Sequence, residues 1–260
     1  MPIKPPHHHR DAAESFGLEA ERYDRSRPRY PAAMMERIAD AGPRVLDVGT
    51  GTGIAARQLQ AAGCTVLGVE PDERMAAVAR GHGVQTEIAT FETWDAAGRT
   101  FDSVTAGQAW HWVDPLAGAA KAAQVLPPGG RLVLFWYVAE PAPEVAAAFG
   151  EVYAREAPDL PSIPSGKPAL DVYYSVMVGT TTDGIARAGA FSEPEQWRYD
   201  WQQVYTRDAW LDQVPTAGTH TRLPRPVLDR ILGGLGAAID EVGGSFTVNY
   251  AAVAVTALRR

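Results

Sequence analysis

Two periodicities alternate through the first half of the chain. Residues 44–48 (RVLDV) and 65–70 (TVLGVE) are short runs of branched apolar side chains ending at glycine or an acid, the pattern of strands buried on both faces. Around them, residues 34–41, 54–62 and 72–80 space their apolar positions at helical intervals. The alternation continues with strands at 86–89 and 101–106, a helix at 115–125, an LPPGG turn at 126–130 and a fifth strand at 131–137. Strand and helix in strict succession, joined by right-handed crossovers, predict an α/β fold built on a doubly wound, Rossmann-like, mostly parallel sheet with helices on both faces.

After residue 140 the rhythm changes. Pro141, Pro143, Pro158, Pro161, Pro164 and Pro168 surround one helical segment, 144–156, and residues 160–170 read as a loop, so a cap or lid insertion is expected. Residues 195–205 alternate aromatic with polar positions (Trp197, Tyr199, Trp201), and 245–258 are branched and aromatic. These predict an antiparallel pair at the sheet edge that completes seven strands, with helices at 207–214 and 225–242 between them. The expected organisation is one domain over 1–260: an N-terminal cap segment (1–40), a cofactor-binding core (41–139), the insertion (140–192) and the completing strands and helices (193–260).

Composition then narrows the partners. With 24 Lys+Arg against 31 Asp+Glu the formal charge is −7, and the pI is near 5.4, so the chain offers no basic footprint for a nucleic-acid backbone. No apolar run approaches the ~20 residues that span a bilayer, and residues 1–10 lack the apolar stretch of a signal peptide, so no membrane partner and a cytoplasmic location are expected. The single cysteine, Cys64, can form neither an internal disulfide nor a zinc cluster. His7, His8 and His9 form a short tract read as incidental. No acidic and histidine cluster has metal-ligand spacing, so no metal is expected.

The informative segment is Val45-Leu-Asp-Val-Gly-Thr-Gly-Thr-Gly53, a strand running into a glycine-rich turn and then a helix. Such a turn brings backbone N–H groups close to a ligand at a helix start. Glu70 ends the next strand, 23 residues after Asp47, where a carboxylate can accept from two vicinal ribose hydroxyls. On these residues alone two nucleoside cofactors remain open, because Gly51-x-Gly53-x-x-Ala56 also meets the permissive dinucleotide fingerprint.

Taken together with Tyr23-Asp-Arg-Ser-Arg-Pro-Arg-Tyr-Pro31, Val69-Glu-Pro-Asp72, Phe101-Asp102, Gly107-Gln-Ala-Trp-His-Trp-Val-Asp114 and Val125-Leu-Pro-Pro-Gly-Gly-Arg-Leu132, the turn resembles that of class I S-adenosylmethionine-dependent methyltransferases of the methyltransferase-11 type. The resemblance runs from Tyr23 to about Tyr137. It implies S-adenosylmethionine as cofactor, with S-adenosylhomocysteine as product. Asp47, Gly49, Thr50, Gly51 and Gly53 would hold its methionine and ribose portion, Glu70 the ribose hydroxyls, and Pro71 would lie near adenine. Where the family places an acid or small polar residue against adenine this chain has Thr90 followed by Phe91, a departure that leaves a hydroxyl and an aromatic edge to substitute. Gln108 would approach the methionine end, and Tyr23, Arg27 and Tyr30 would close over it.

Methyl transfer from a sulfonium is an in-line displacement that asks for alignment, and aromatic faces suit the cation. Trp110, Trp112, Trp136 and Tyr137 follow the fourth and fifth strands, at the carboxyl edge where open α/β sheets bind ligands, and are expected to line the acceptor pocket. His111 is the candidate general base, with packing or substrate orientation as its alternative role. Asp102 and Asp114 read as turn or cap residues, and the Trp197/Tyr199/Trp201 face as core. The reading is a methyltransferase acting on a small-molecule acceptor at O, N or C; an NAD(P)-dependent oxidoreductase and a non-catalytic cofactor-fold module are the alternatives.

Overall fold

The computed structural model describes residues 15–160 and 169–260, leaving His7–His9 and most of the expected 160–170 loop outside the described residues. A 3₁₀ turn, Ser15–Glu19, leads into α1 (Ala20–Ser26) and α2 (Ala32–Ala39). Then follow β1 (Arg44–Val48), α3 (Ile54–Ala61), β2 (Thr65–Glu70), α4 (Glu73–Gly81), β3 (Gln85–Ile88), β4 (Ser103–Gly107), a 3₁₀ turn Trp110–Trp112, α5 (Pro115–Val125) and β5 (Arg131–Pro141). The remainder is α6 (Pro143–Glu156), α7 (Ala169–Ala188), β6 (Glu195–Thr206), α8 (Arg207–Gln213), a 3₁₀ turn Val214–Thr216, α9 (Arg225–Glu241) and β7 (Ser245–Leu258).

The seven strands form one sheet in the order β3-β2-β1-β4-β5-β7-β6. The first five are parallel, and β7 runs antiparallel to both β5 and β6, so the expected antiparallel pair closes that side of the sheet. Strand order reverses between β1 and β4, which opens a crevice at their carboxyl ends, where Val48 and Gly107 terminate.

Side-chain parity divides the core. Along β5, Leu132, Leu134 and Trp136 pack on one face with α5 and α7, while Val133 and Phe135 pack on the other with α2 and α3. A third apolar group joins α6 and α9 over the far ends of β6 and β7 through Phe149, Val152, Ile231, Leu235 and Val248. Asp72 and Asp114 cap α4 and α5 by accepting from Arg74 N (2.9 Å) and from Leu116 N and Ala117 N (3.0 and 2.8 Å).

The expected insertion is not one structural unit. Its first helix, α6, joins the α9 group, but α7 packs on α5 with Ile185 in the sheet core. Contact there is close: a Cβ on Gly184 would lie 2.6 Å from the Pro115 carbonyl oxygen. Trp197 belongs to the core beside α2, with the Arg37 guanidinium 4.0 Å from its ring centre, so the aromatic stripe of β6 is packing surface.

Candidate functional site

The turn after β1 is tied on both sides. Asp47 is buried and accepts from Thr50 Oγ1 (2.7 Å) and Thr105 Oγ1 (2.9 Å), and burial pushes its carboxyl up to about 6. Gly49 N–H donates to Val69 O at 2.8 Å, carrying the turn toward β2. Its φ of +62° is left-handed, and a Cβ there would lie 2.5 Å from Ala109 Cβ, so only glycine fits. Across the turn, Glu70 accepts from Gly51 N (2.9 Å, Oε2) and Asp72 N (3.0 Å, Oε1), which fixes its plane. Burial pushes its carboxyl up to about 7. Thr52 Oγ1 is buried without a hydrogen-bond partner in the same turn, and Thr52 also lines the crevice.

Gly53 departs from its expected role. It does not line the crevice; it starts α3 at φ +83°, and a Cβ would press on Val84 and Ala79 at 3.0 and 3.3 Å. The constraint at that position is the packing of α3 against α4.

Above the turn lies a cavity of about 400 Å³, within the range of small-molecule sites. Pro71, Thr90 and Phe91 line the end beyond β2 and β3, together with Glu92, an acid one residue past the segment the sequence singled out. Gln108 stands at the end of β4 with φ +55°, a conformation unfavourable for a side chain bearing Cβ. It is held there by Gln108 N donating to Phe135 O (2.8 Å) and Nε2 donating to Tyr137 O (2.9 Å). Tyr30 is clamped by reciprocal bonds to Gln58 (3.0 and 2.8 Å) and sets its ring edge-on against Phe135 and Tyr137.

The N-terminal segment forms the roof. Tyr23 and Arg27 line the cavity, and α1 is pinned by Asp24, which pairs with Arg57 and with His82 Nε2 at 3.3 Å, and by Arg22 and Arg25, both 2.9 Å from Asp212. Phe16 and the Ala217-Gly218 loop complete the wall. Those three residues carry no motif; they reach the site because the Gly218 backbone packs on Phe16, where a Cβ would sit 2.7 Å from the ring.

Of the expected acceptor-pocket aromatics, Trp112 and Tyr137 line the cavity and Trp110 and Trp136 do not. The latter two are core, 2% and 0% exposed. The reason is parity: Trp136 shares the face of Leu132 and Leu134, opposite that of Phe135.

His111 lines the cavity, but its geometry revises the expectation of a general base. Its Nδ1 accepts from Trp136 Nε1 at 3.3 Å. An indole N–H can only donate, so the proton of the neutral imidazole sits on Nε2. Burial lowers the imidazole to about 4, which keeps it neutral. His111 therefore offers the cavity an N–H donor rather than a free lone pair.

A profile of the methyltransferase-domain family matches residues 23–169, more than half of the chain. An uncharacterised methyltransferase of Mycobacterium tuberculosis is 30% identical over 229 residues, covering 85% of this chain and 86% of that one. The chain belongs to the methyltransferase family. The NAD(P) alternative falls with that membership. The fold agrees: a proposed type II methyltransferase from Anaeromyxobacter dehalogenans superposes with a TM-score of 0.65 at 24% identity, over 89% of this chain and 97% of that one. A SAM-dependent methyltransferase of Thermotoga maritima matches at 0.50 and 18% identity over 96% and 99%. A ubiquinone biosynthesis O-methyltransferase of Xanthomonas axonopodis pv. citri is 30% identical over 163 residues, 56% of this chain and 68% of that one.

As a methyltransferase the chain uses S-adenosylmethionine, and its crevice fits that group: the glycine turn lines it with backbone, and two buried acids, Asp47 and Glu70, line the same space as acceptors. Among the described residues no three His, Cys, Asp or Glu side chains gather as metal ligands, and no helix is long and apolar enough to cross a membrane.

Proposed function

We propose that this methyltransferase methylates a small organic acceptor held over the ends of β4 and β5, at a nucleophilic O, N or C. The observation that carries the reading is the cavity itself: one continuous space runs from Glu70 and Thr90 across the glycine turn to His111, Trp112 and Tyr137. A nucleoside at one end would therefore place its reactive group before a walled pocket at the other.

In this arrangement Glu70 accepts the ribose hydroxyls with the lone pairs not used by Gly51 and Asp72. Asp47, Gly49, Thr50 and Gly51 hold the ribose and amino-acid portion, and Pro71, Thr90, Phe91 and Glu92 bound the adenine. Gln108, Tyr30 and Tyr23 cover the amino-acid end. The bound cofactor supplies an electrophilic methyl group; the chain's part is alignment and exclusion of water. On the acceptor side the His111 ring nitrogens are taken up by a hydrogen bond and a proton, and burial raises Tyr137, so no described group there takes a proton at neutral pH. The acceptor must then bring a nucleophile that reacts without help from a base. The O-methyltransferase named above supports a metabolite-sized acceptor, and a lone buried Cys64 suits a reducing cytoplasm.

Calorimetric titration tests the reading. S-adenosylhomocysteine should bind at micromolar concentrations and NADH should not, and Glu70→Gln should weaken the former at least tenfold. Binding of neither ligand, or of NADH alone, would overturn it.

A further inference from the structure

Strand β6 ends the sheet on the side away from β3, and among the described residues its ladder runs to β7 alone. It is 12 residues long, about twice the usual strand. Its pairing with β7 is unbroken by any bulge, from Glu195 opposite Thr256 to Thr206 opposite Ser245. A long free edge invites a further strand, and chains commonly blunt it with proline, lysine, a bulge or a covering element. Residues 195–206 contain no proline, glycine or lysine, and Val204 is 67% exposed.

The charges on this edge do not repel a copy of it. Arg198 and Asp200 stand two residues apart on one face, both more than half exposed, with Arg198 Nη2 3.0 Å from Asp200 Oδ1. On the other face are Trp197, Tyr199 and Trp201, packed on the core beside α2. None of residues 195–206 lines the cavity, so a strand added here does not engage the cofactor crevice.

We infer that β6 pairs antiparallel with β6 of a second copy of this chain, about a two-fold axis through Tyr199, joining two seven-stranded sheets into one. An axis normal to the sheet keeps each face on its own side, so residues that stand opposite each other share the same parity. Centred on Tyr199, it sets Arg198 opposite Asp200 of the second copy, and Asp200 opposite Arg198 of the second copy. With the pair inside each strand, these contacts close a ring of four alternating charges. Moving the centre to Arg198 or to Asp200 would set like charges face to face, which destabilises a strand pair. The third charge, Glu195, falls opposite the neutral Gln203. On the other face Trp197 meets Trp201 of the second copy and Tyr199 meets its own copy, the kind of aromatic cross-strand pair that stabilises a sheet.

Analytical ultracentrifugation of the full chain, from low to high micromolar concentration, tests the inference. The mass should rise toward twice 27.9 kDa. Arg198→Asp and Asp200→Arg should each raise the dimer dissociation constant at least tenfold, and the double exchange should restore it to within threefold. A single cooperative thermal transition near that of the wild type shows that each variant folds. The register has its own readout in a Cys64→Ser background oxidised with diamide. Tyr199→Cys faces its own copy and should yield a disulfide-linked dimer. Val204→Cys, five residues from the axis and so roughly 33 Å from its copy, should not. A monomer at the highest concentration, which would leave the edge to a strand of another protein, would overturn the inference. So would a dimer indifferent to both single exchanges, a double exchange that stays monomeric, or a disulfide through Val204→Cys in preference to Tyr199→Cys.

Discussion

Acidification should loosen the grip on the cofactor through Glu70. Ribose hydroxyls need an ionised acceptor, whereas burial holds the free protein's Glu70 at about 7. Below that value binding must first release a proton, so affinity falls about tenfold per pH unit. Between pH 8 and pH 5.5 the ionised fraction drops from about nine-tenths to about 3%, a loss of roughly 30-fold or about 2 kcal/mol. Asp47, at about 6, adds at most about a further fourfold at pH 5.5 if it too ionises on binding. Calorimetry of S-adenosylhomocysteine from pH 5.5 to 8.5 measures the slope, and Glu70→Gln should remove most of it. The same shift acts on stability with the opposite sense: the folded form holds its proton more tightly than the unfolded chain, so stability without ligand falls as pH rises from about 4.5 to 7 and levels above. The upper limit is about 3 kcal/mol. A wild-type affinity flat across that range, or an undiminished slope in Glu70→Gln, would refute the reasoning.

Other outcomes follow from single contacts. Gly49→Ala forces a Cβ into Ala109 at a left-handed φ, so it should lower stability by about 1–3 kcal/mol and abolish measurable S-adenosylhomocysteine binding, as thermal shift will show. If His111 is a donor, His111→Asn should raise KM for the acceptor more than it lowers kcat and leave the pH–rate profile without a lost inflection between pH 5 and 8; a kcat loss of a hundredfold or more would restore it as the base. Asp24→Asn, which unpins α1 from Arg57 and His82, should cost about 1–3 kcal/mol in denaturant unfolding and raise proteolytic cleavage within residues 15–31. Turnover should survive EDTA without magnesium rescue.

The βαβ half of the molecule was legible because strands buried on both faces and amphipathic helices write different periods, and because the β1 turn needs glycine where no Cβ fits. The second half was less so. Helix α7 carries Gly179, Gly184 and the Thr180-Thr181-Thr182 run, which weaken a helical pattern, and it is helical through packing on α5. Trp110 and Trp136 were misplaced because nearness along the chain says nothing of direction. The parity of β5, visible in the sequence, already sets Trp136 with Leu132 and Leu134. Glu92 could have been found as the acid one residue past Thr90-Phe91. Nothing local marks Ala217-Gly218, since they reach the cavity only after α8 and α1 dock. The tautomer of His111 was unreadable for a similar reason: its partner Trp136 lies 25 residues away, on another element.

A crystal structure of the S-adenosylhomocysteine complex tests the central claim most directly. It should show both ribose hydroxyls within hydrogen-bonding distance of the Glu70 carboxylate, the amino-acid end against the Gly49–Gly51 backbone, and the sulfur facing the space bounded by His111, Trp112 and Tyr137. A nucleoside seated away from Glu70, or a sulfur turned from that space, would contradict it.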